Sequence, residues 1–169
     1  LSLVSDLIRQ ALLMLLPLIL YKLLEPVNKT IAALMVIFAL VSVPISMLNE
    51  LNHFAVLLLS SGAGYLTAFK ADQLNALVMF FLDLRKYGTF IPQVLSLWVL
   101  LLGYLVFKSG FLPRILGILL MLGGLCYTVQ AVLFFLFPNF DATVFGLFAF
   151  IAEPLFYLWL LIKGVNVEE

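Results

Sequence analysis

Charge is scarce in this sequence, and so are the side chains that most chemistry needs. Only 11% of its 169 residues are charged, and nine Lys and Arg against nine Asp and Glu leave a formal net charge of zero. No basic surface is left over to hold a phosphate backbone, which excludes nucleic acid as a partner. The single cysteine, Cys126, excludes an intrachain disulfide and a cysteine-built metal cluster. The single histidine, His53, excludes a His-Glu-x-x-His zinc helix. A phosphate-binding Gly-rich loop, a dinucleotide fingerprint and a nucleophile elbow are also missing, so no cofactor is assigned.

What fills the sequence instead is apolar. Hydrophobic residues make up 65% of it, where a soluble domain carries about half. They come in runs of roughly twenty, the length that crosses a bilayer as a helix. The predicted fold is all-α: a polytopic transmembrane helix bundle, one domain over residues 1–169, with the lipid bilayer as its first partner. Five spans are expected, near residues 5–24, 30–60, 72–108, 113–137 and 142–163.

Local signals set their ends. Ser5 and Asp6 suit a helix start, and Lys22, Glu25 and Pro26 stop the first span. The short Val27-Asn28-Lys29 linker predicts an antiparallel second span, with Pro44 inside it and a polar insert, Asn49 to His53, near its far end. The stretch from Asp72 to Phe107 would be ~55 Å long as one helix, against a hydrocarbon core of ~30 Å. The sequence therefore predicts a bend at Gly88 and Pro92, or an amphipathic lead-in from Asp72 to Lys86 lying in the interface. Pro113 opens the fourth span, and Lys163-Gly164 closes the fifth.

If the spans alternate, Lys22, Lys29, Lys108, Arg114 and Lys163 all fall at one end. The positive-inside rule puts that end in the cytoplasm, with the C-terminus there and Leu1 outside. No signal-peptide pattern opens the chain at Leu1, which reads as a fragment lacking its beginning or, alternatively, as a processed product.

Three segments, LRKYG, YLVFKSGFLPRILGILL and EPLFYLWLLIKGVN, carry a resemblance. In this order they are similar to a bacterial family of multi-pass membrane proteins known only as domain of unknown function 4386. The matching residues are Tyr104, Ser109, Gly110, Leu112, Pro113, Arg114, Glu153, Trp159, Leu160, Lys163 and Gly164. The resemblance implies a bacterial cytoplasmic (inner) membrane protein with one further span in front, six in the intact chain. It implies no activity.

Function has to be sought in the polar residues that the membrane does not favour. Glu153 lies deep in the last span, where a carboxylate costs at least ~2.5 kcal/mol and so faces other helices. Gly146, Ala149, Glu153 and Tyr157 share one face, and Pro154 leaves the Phe150 carbonyl without its helical donor. Glu153 reads either as a proton- or ligand-binding carboxylate or as a plain hydrogen-bonding partner of Gln93, Ser96 or Gln130. Glu50 and His53 have the Glu-x-x-His spacing that points both side chains one way. Asp83 could join them as a third ligand, or Glu50 and Asp83 could pair with Arg85, Lys86 or Arg9.

Thr89, Gln93, Ser96 and Gly103 form a small and polar stripe on the third span, and Gly117, Gly124 and Ala131 a second on the fourth. Such stripes serve helix packing or a substrate path. Three readings follow. The leading one is a carrier or sensor for a small lipophilic or polar ligand, with Glu153, Gln93 and Gln130 inside and Glu50, His53, Asp83 and Arg85 at the outer end. The second is an intramembrane enzyme at Glu50, His53 and Asp83, and the third a structural or assembly protein.

Overall fold

The computed structural model describes residues 2–137 and 140–164, and within them six α-helices and one short 3-10 helix. They are α1 (Ser2–Leu24), α2 (Lys29–Leu59), the 3-10 turn Gly64–Ala68, α3 (Ala71–Val94), α4 (Leu97–Ser109), α5 (Arg114–Leu136) and α6 (Thr143–Lys163). The architecture is all-α. Four helical segments are long and apolar enough to cross a membrane: α2, α3 with α4, α5 and α6. The apolar part of α1, Gln10–Leu24, is shorter and falls outside that set. Bulky aliphatics cover the outer faces; Ile115 is 70% exposed and Leu161 82%. A surface of that kind suits hydrocarbon rather than water, as in a multi-pass membrane protein.

The helix ends follow from residue chemistry. Asn28 takes an extended backbone and its Oδ1 accepts the Ile31 N–H at 3.0 Å, capping α2. The segment Ser109 to Arg114 is a tight corner. Gly110 turns left-handed at φ 76°, which favours a residue without Cβ. Ser109 Oγ donates to the Val106 carbonyl and accepts the Leu112 N–H at 3.2 Å, while Leu112 is buried and Pro113 caps α5. Before α6, the exposed Asp141 accepts a hydrogen bond from Thr143 N–H at 3.0 Å. The Thr143 side chain, then that backbone bond, hold its carboxyl below the usual carboxylate range. A carboxyl so lowered stabilises the fold above its unfolded-state range, and the contribution fades as pH falls through the folded value. Asp141→Ala is therefore expected to speed amide exchange at Thr143 at neutral pH, with the difference from wild type vanishing in strong acid.

The α3–α4 segment is interrupted at Leu95 and Ser96. Pro92 cannot donate to the turn before it, and the following bonds tighten to i→i+3 steps, Leu95 N–H to Pro92 O and Ser96 N–H to Gln93 O. The predicted bend thus falls just past Pro92. Gly88 stays inside α3.

Packing divides the bundle into two halves. The apolar half is built from Leu20 and Leu24 of α1, Ala32, Met35 and Ala39 of α2, most of α4, Leu120 and Phe156. It lies towards the end where the α1–α2 and α4–α5 corners and the end of α6 gather. α4 sits centrally, packed on α5, α2 and α1. Its seam with α5 is made by glycine: Gly103, Gly117 and Gly124 bring the two backbones together, and Gly123 does the same against Ala149 and Ala152 of α6. The other half of the bundle holds the polar residues.

Candidate functional site

Serine, asparagine and carboxylate side chains on α2 recur at helical spacing: Ser42, Ser46, Asn49, Glu50 and His53. Thr89 and Gln93 on α3, with Ser96 at the break, form the facing stripe. Ser42 and Ser46 stay quiet in the helix by donating to the Ala39 and Ser42 carbonyls at 2.7 and 3.0 Å. Asn49 ties the two helices. Its Nδ2 donates to the Arg85 carbonyl at 3.0 Å and to Thr89 Oγ1 at 3.3 Å, and its Oδ1 accepts from Asn52. Gly88 permits this approach, because a Cβ there would stand in the Asn49 carboxamide.

Between the stripes lies a chamber of about 200 Å³. Every helix contributes to its wall: Gln10 from α1, the α2 and α3 stripes, Trp98 from α4, Tyr127 from α5 and Glu153 from α6. Glu153 stands ten residues before Lys163, about 15 Å along α6. Glu50 stands 21 residues beyond Lys29, about 32 Å along α2. The chamber therefore runs from mid-bundle towards the end away from the basic corners.

Its outer end is ionic. Glu50 is 6% exposed, and its Oε2 receives Arg85 Nη2 at 3.4 Å, with His53 Nδ1 at 3.6 Å from the same oxygen. The second distance is too long for a hydrogen bond, and His53 Nδ1 has no hydrogen-bond partner. A carboxylate between an arginine and an imidazole can orient the ring, and with Arg85 it also forms a partly buried ion pair. Asp83 is exposed. It precedes Arg85 by two positions, which on a helix is about 200° of rotation, so Arg85 facing α2 turns Asp83 away. Among the described residues no three His, Cys, Asp or Glu side chains come together as a metal ion would need.

Its inner end is acceptor-rich. Gln10 is 2% exposed, and its Oε1 has no partner; Gln93 Oε1 is buried and unpartnered as well. Gln130 lies outside the chamber, with its carboxamide against Gly146 in the α5–α6 seam and its Oε1 likewise unpartnered. Of the residues singled out from sequence, the structure gathers Gln93 and Glu153 at the inner end and Glu50, His53 and Arg85 at the outer end. Sequence reasoning passed over Ser42, Ser46 and Tyr127 and gave Gln10 no role. The 42–46–49–53 spacing was the available signal for the two serines. Gln10 and Tyr127 gain meaning only from the neighbouring helices.

The chain matches the protein family described as Domain of unknown function (DUF4386) over residues 1–164. It is also 31% identical over 151 residues to a protein of the archaeon Archaeoglobus fulgidus described as an uncharacterized protein, covering 89% of this chain and 75% of the relative. No solved structure matches.

Proposed function

The chain belongs to the DUF4386 family, and from that premise we propose that it is a ligand-binding integral membrane protein, a carrier or sensor whose site is the chamber between Gln10, Gln93 and Glu153. In this reading α1, α2, α3 with α4, α5 and α6 make five spans of a cytoplasmic membrane, with the basic corners and C-terminus inside. Glu153 sits near the midplane, and Glu50, His53 and Arg85 line the way out. One observation supports it above the others. Gln10 and Gln93 line the chamber, and the buried carboxamide oxygen of each has no protein partner. Leaving a buried acceptor unpaired costs about 1–3 kcal/mol, and buried polar groups are normally paired. A bound ligand or the water it displaces supplies the missing donors.

Native mass spectrometry with metal analysis, on protein extracted with its own lipid, tests this. A stoichiometric small-molecule adduct is expected. Glu153→Gln should weaken its retention about tenfold, the worth of one charge-assisted hydrogen bond, with the melting temperature little changed. Ser46→Cys in a Cys126→Ala background should react with a water-soluble thiol reagent. A bare mass together with an unreactive Ser46→Cys would make the chamber a dry packing defect and leave the assembly reading in its place.

A further inference from the structure

A second cavity shares part of its wall with the chamber. It measures about 300 Å³ and is walled by Leu12, Leu13 and Leu16 of α1, Tyr127 of α5 and Phe150, Pro154 and Tyr157 of α6, with Glu153 at its inner end. Leu13, Tyr127 and Glu153 line both cavities. The helices explain the crevice: α1 packs on α2 and touches α4, and α6 packs on α5, so among the described residues little closes the seam between α1 and α6. At its lips Leu12 is 59% and Phe150 68% exposed. Glu153 lies about 15 Å from the end of α6, which in a ~30 Å hydrocarbon core is the level of acyl chains, not of water.

The two cavities differ in chemistry. The crevice is apolar apart from Glu153 and two tyrosines. The chamber lining carries the unpartnered oxygens of Gln10 and Gln93 and the Glu153 carboxyl, while the Glu50 carboxyl is paired with Arg85. Two donors around the chamber are engaged within the protein, Asn49 Nδ2 on the α3 backbone and Arg85 on Glu50. An occupant of both spaces thus has an apolar tail and a head that donates hydrogen bonds. An anionic head would meet the Glu153 carboxyl and the two orphaned carboxamide oxygens.

Taking the ligand-binding reading as given, we infer that the α1–α6 crevice is a lateral portal for a single-chain amphiphile with a hydrogen-bond-donating, non-anionic head, an amine or a polyol. The tail lies along Leu12, Leu16 and Phe150. The head enters the chamber and donates to Gln10, Gln93 and Glu153. Entry is from the bilayer, so the ligand need not cross the Glu50–Arg85 end.

The test uses the full chain in phosphatidylcholine nanodiscs and three sixteen-carbon probes with a diazirine in mid-chain and an amine, glycerol-ester or carboxylate head. Peptide mapping after illumination is expected to show saturable labelling of residues 12–16 and 150–157 by the amine or glycerol probe, at least tenfold above the carboxylate. The preferred head tells an amine ligand from a polyol. Leu16→Trp should fill the crevice and remove that labelling, and Gln10→Leu with Gln93→Leu should erase the preference among heads. Leu12→Trp takes the place of Leu16→Trp if the latter does not fold. Equal labelling by all three probes, or labelling unchanged by the crevice-filling variant, overturns the inference. If a chamber adduct persists in Leu16→Trp while all crevice labelling is non-saturable, the lateral route fails and the ligand-binding reading stands. If wild type shows neither adduct nor saturable labelling, both fall.

Discussion

Gly103→Val is expected to pull α4 away from α5 and to cost about 3 kcal/mol or more, beyond the usual range for overpacking. A Cβ at Gly103 would come 2.5 Å from the Met121 backbone nitrogen and 2.7 Å from the Gly117 carbonyl oxygen. These obstacles are main chain, and no rotamer change can clear them. The contact is reciprocal, since a Cβ at Gly117 would meet the Phe107 nitrogen at 2.6 Å, and one at Gly124 the Leu100 nitrogen at 2.6 Å. Three successive turns of α4 therefore rest on α5 with no side chain between them. In hydrocarbon, van der Waals contact of this kind carries much of the association between helices, because apolar burial adds little. The seam also holds Trp98 and Tyr127 at the chamber wall, so the same substitution should open the chamber. Thermal unfolding in detergent measures the loss, and faster thiol labelling of the half-buried Cys126 on α5 reports the separation. Gly64→Ala is the control. A Cβ there meets nothing within 4 Å, and its effect should stay within about 0.5 kcal/mol. A Gly103→Val protein that melts like wild type would rule out this backbone contact.

The difference between Gly103 and Gln10 shows what a single sequence can reveal about such a protein. The helical character was legible because apolar runs without charge have few other outcomes, and corners such as Ser109-Gly110-Phe111-Leu112-Pro113 carry their own turn chemistry. The glycine stripe on α5 was legible as a packing seam through its seven-residue spacing. The break in the third segment was legible only roughly. Pro92 disturbs the bonds that follow it, so the interruption appears at Leu95–Ser96, and Gly88 serves Asn49 rather than a hinge. The chamber lay beyond reach. Ser42 and Ser46 look inert in an apolar helix because they can bond their own backbone. Glu153, Gln93 and Gln10 become one site only when the mutual rotation of α6, α3 and α1 is known. Period and composition fix which face of a helix is polar, but not which other face it meets.

Arg85→Leu is the second large effect expected, and its partner substitution gives it meaning. Removing the guanidinium leaves Glu50, 6% exposed, without the cation 3.4 Å away. Breaking a buried pair from one side costs about 3–5 kcal/mol; the Arg85 side chain is 32% exposed, which places this pair near about 3 kcal/mol. Glu50→Leu should cost less, about 1 kcal/mol, because the long Arg85 side chain can carry its charge outward to water. The double variant Glu50→Leu with Arg85→Leu should come back close to wild type, since an apolar pair of similar volume often replaces a buried ion pair without loss. A coupling of about 3 kcal/mol in the double-mutant cycle is the signature to look for. Stability alone does not settle why the pair is kept. On the ligand-binding reading, the pair, whose Glu50 lines the chamber, holds its arginine away from the acceptors deeper in and leaves them for a ligand. The double variant should thus be stable yet change what the chamber admits. Strictly additive costs would mean that Glu50 and Arg85 do not interact, and the outer end of the chamber would have to be drawn without them.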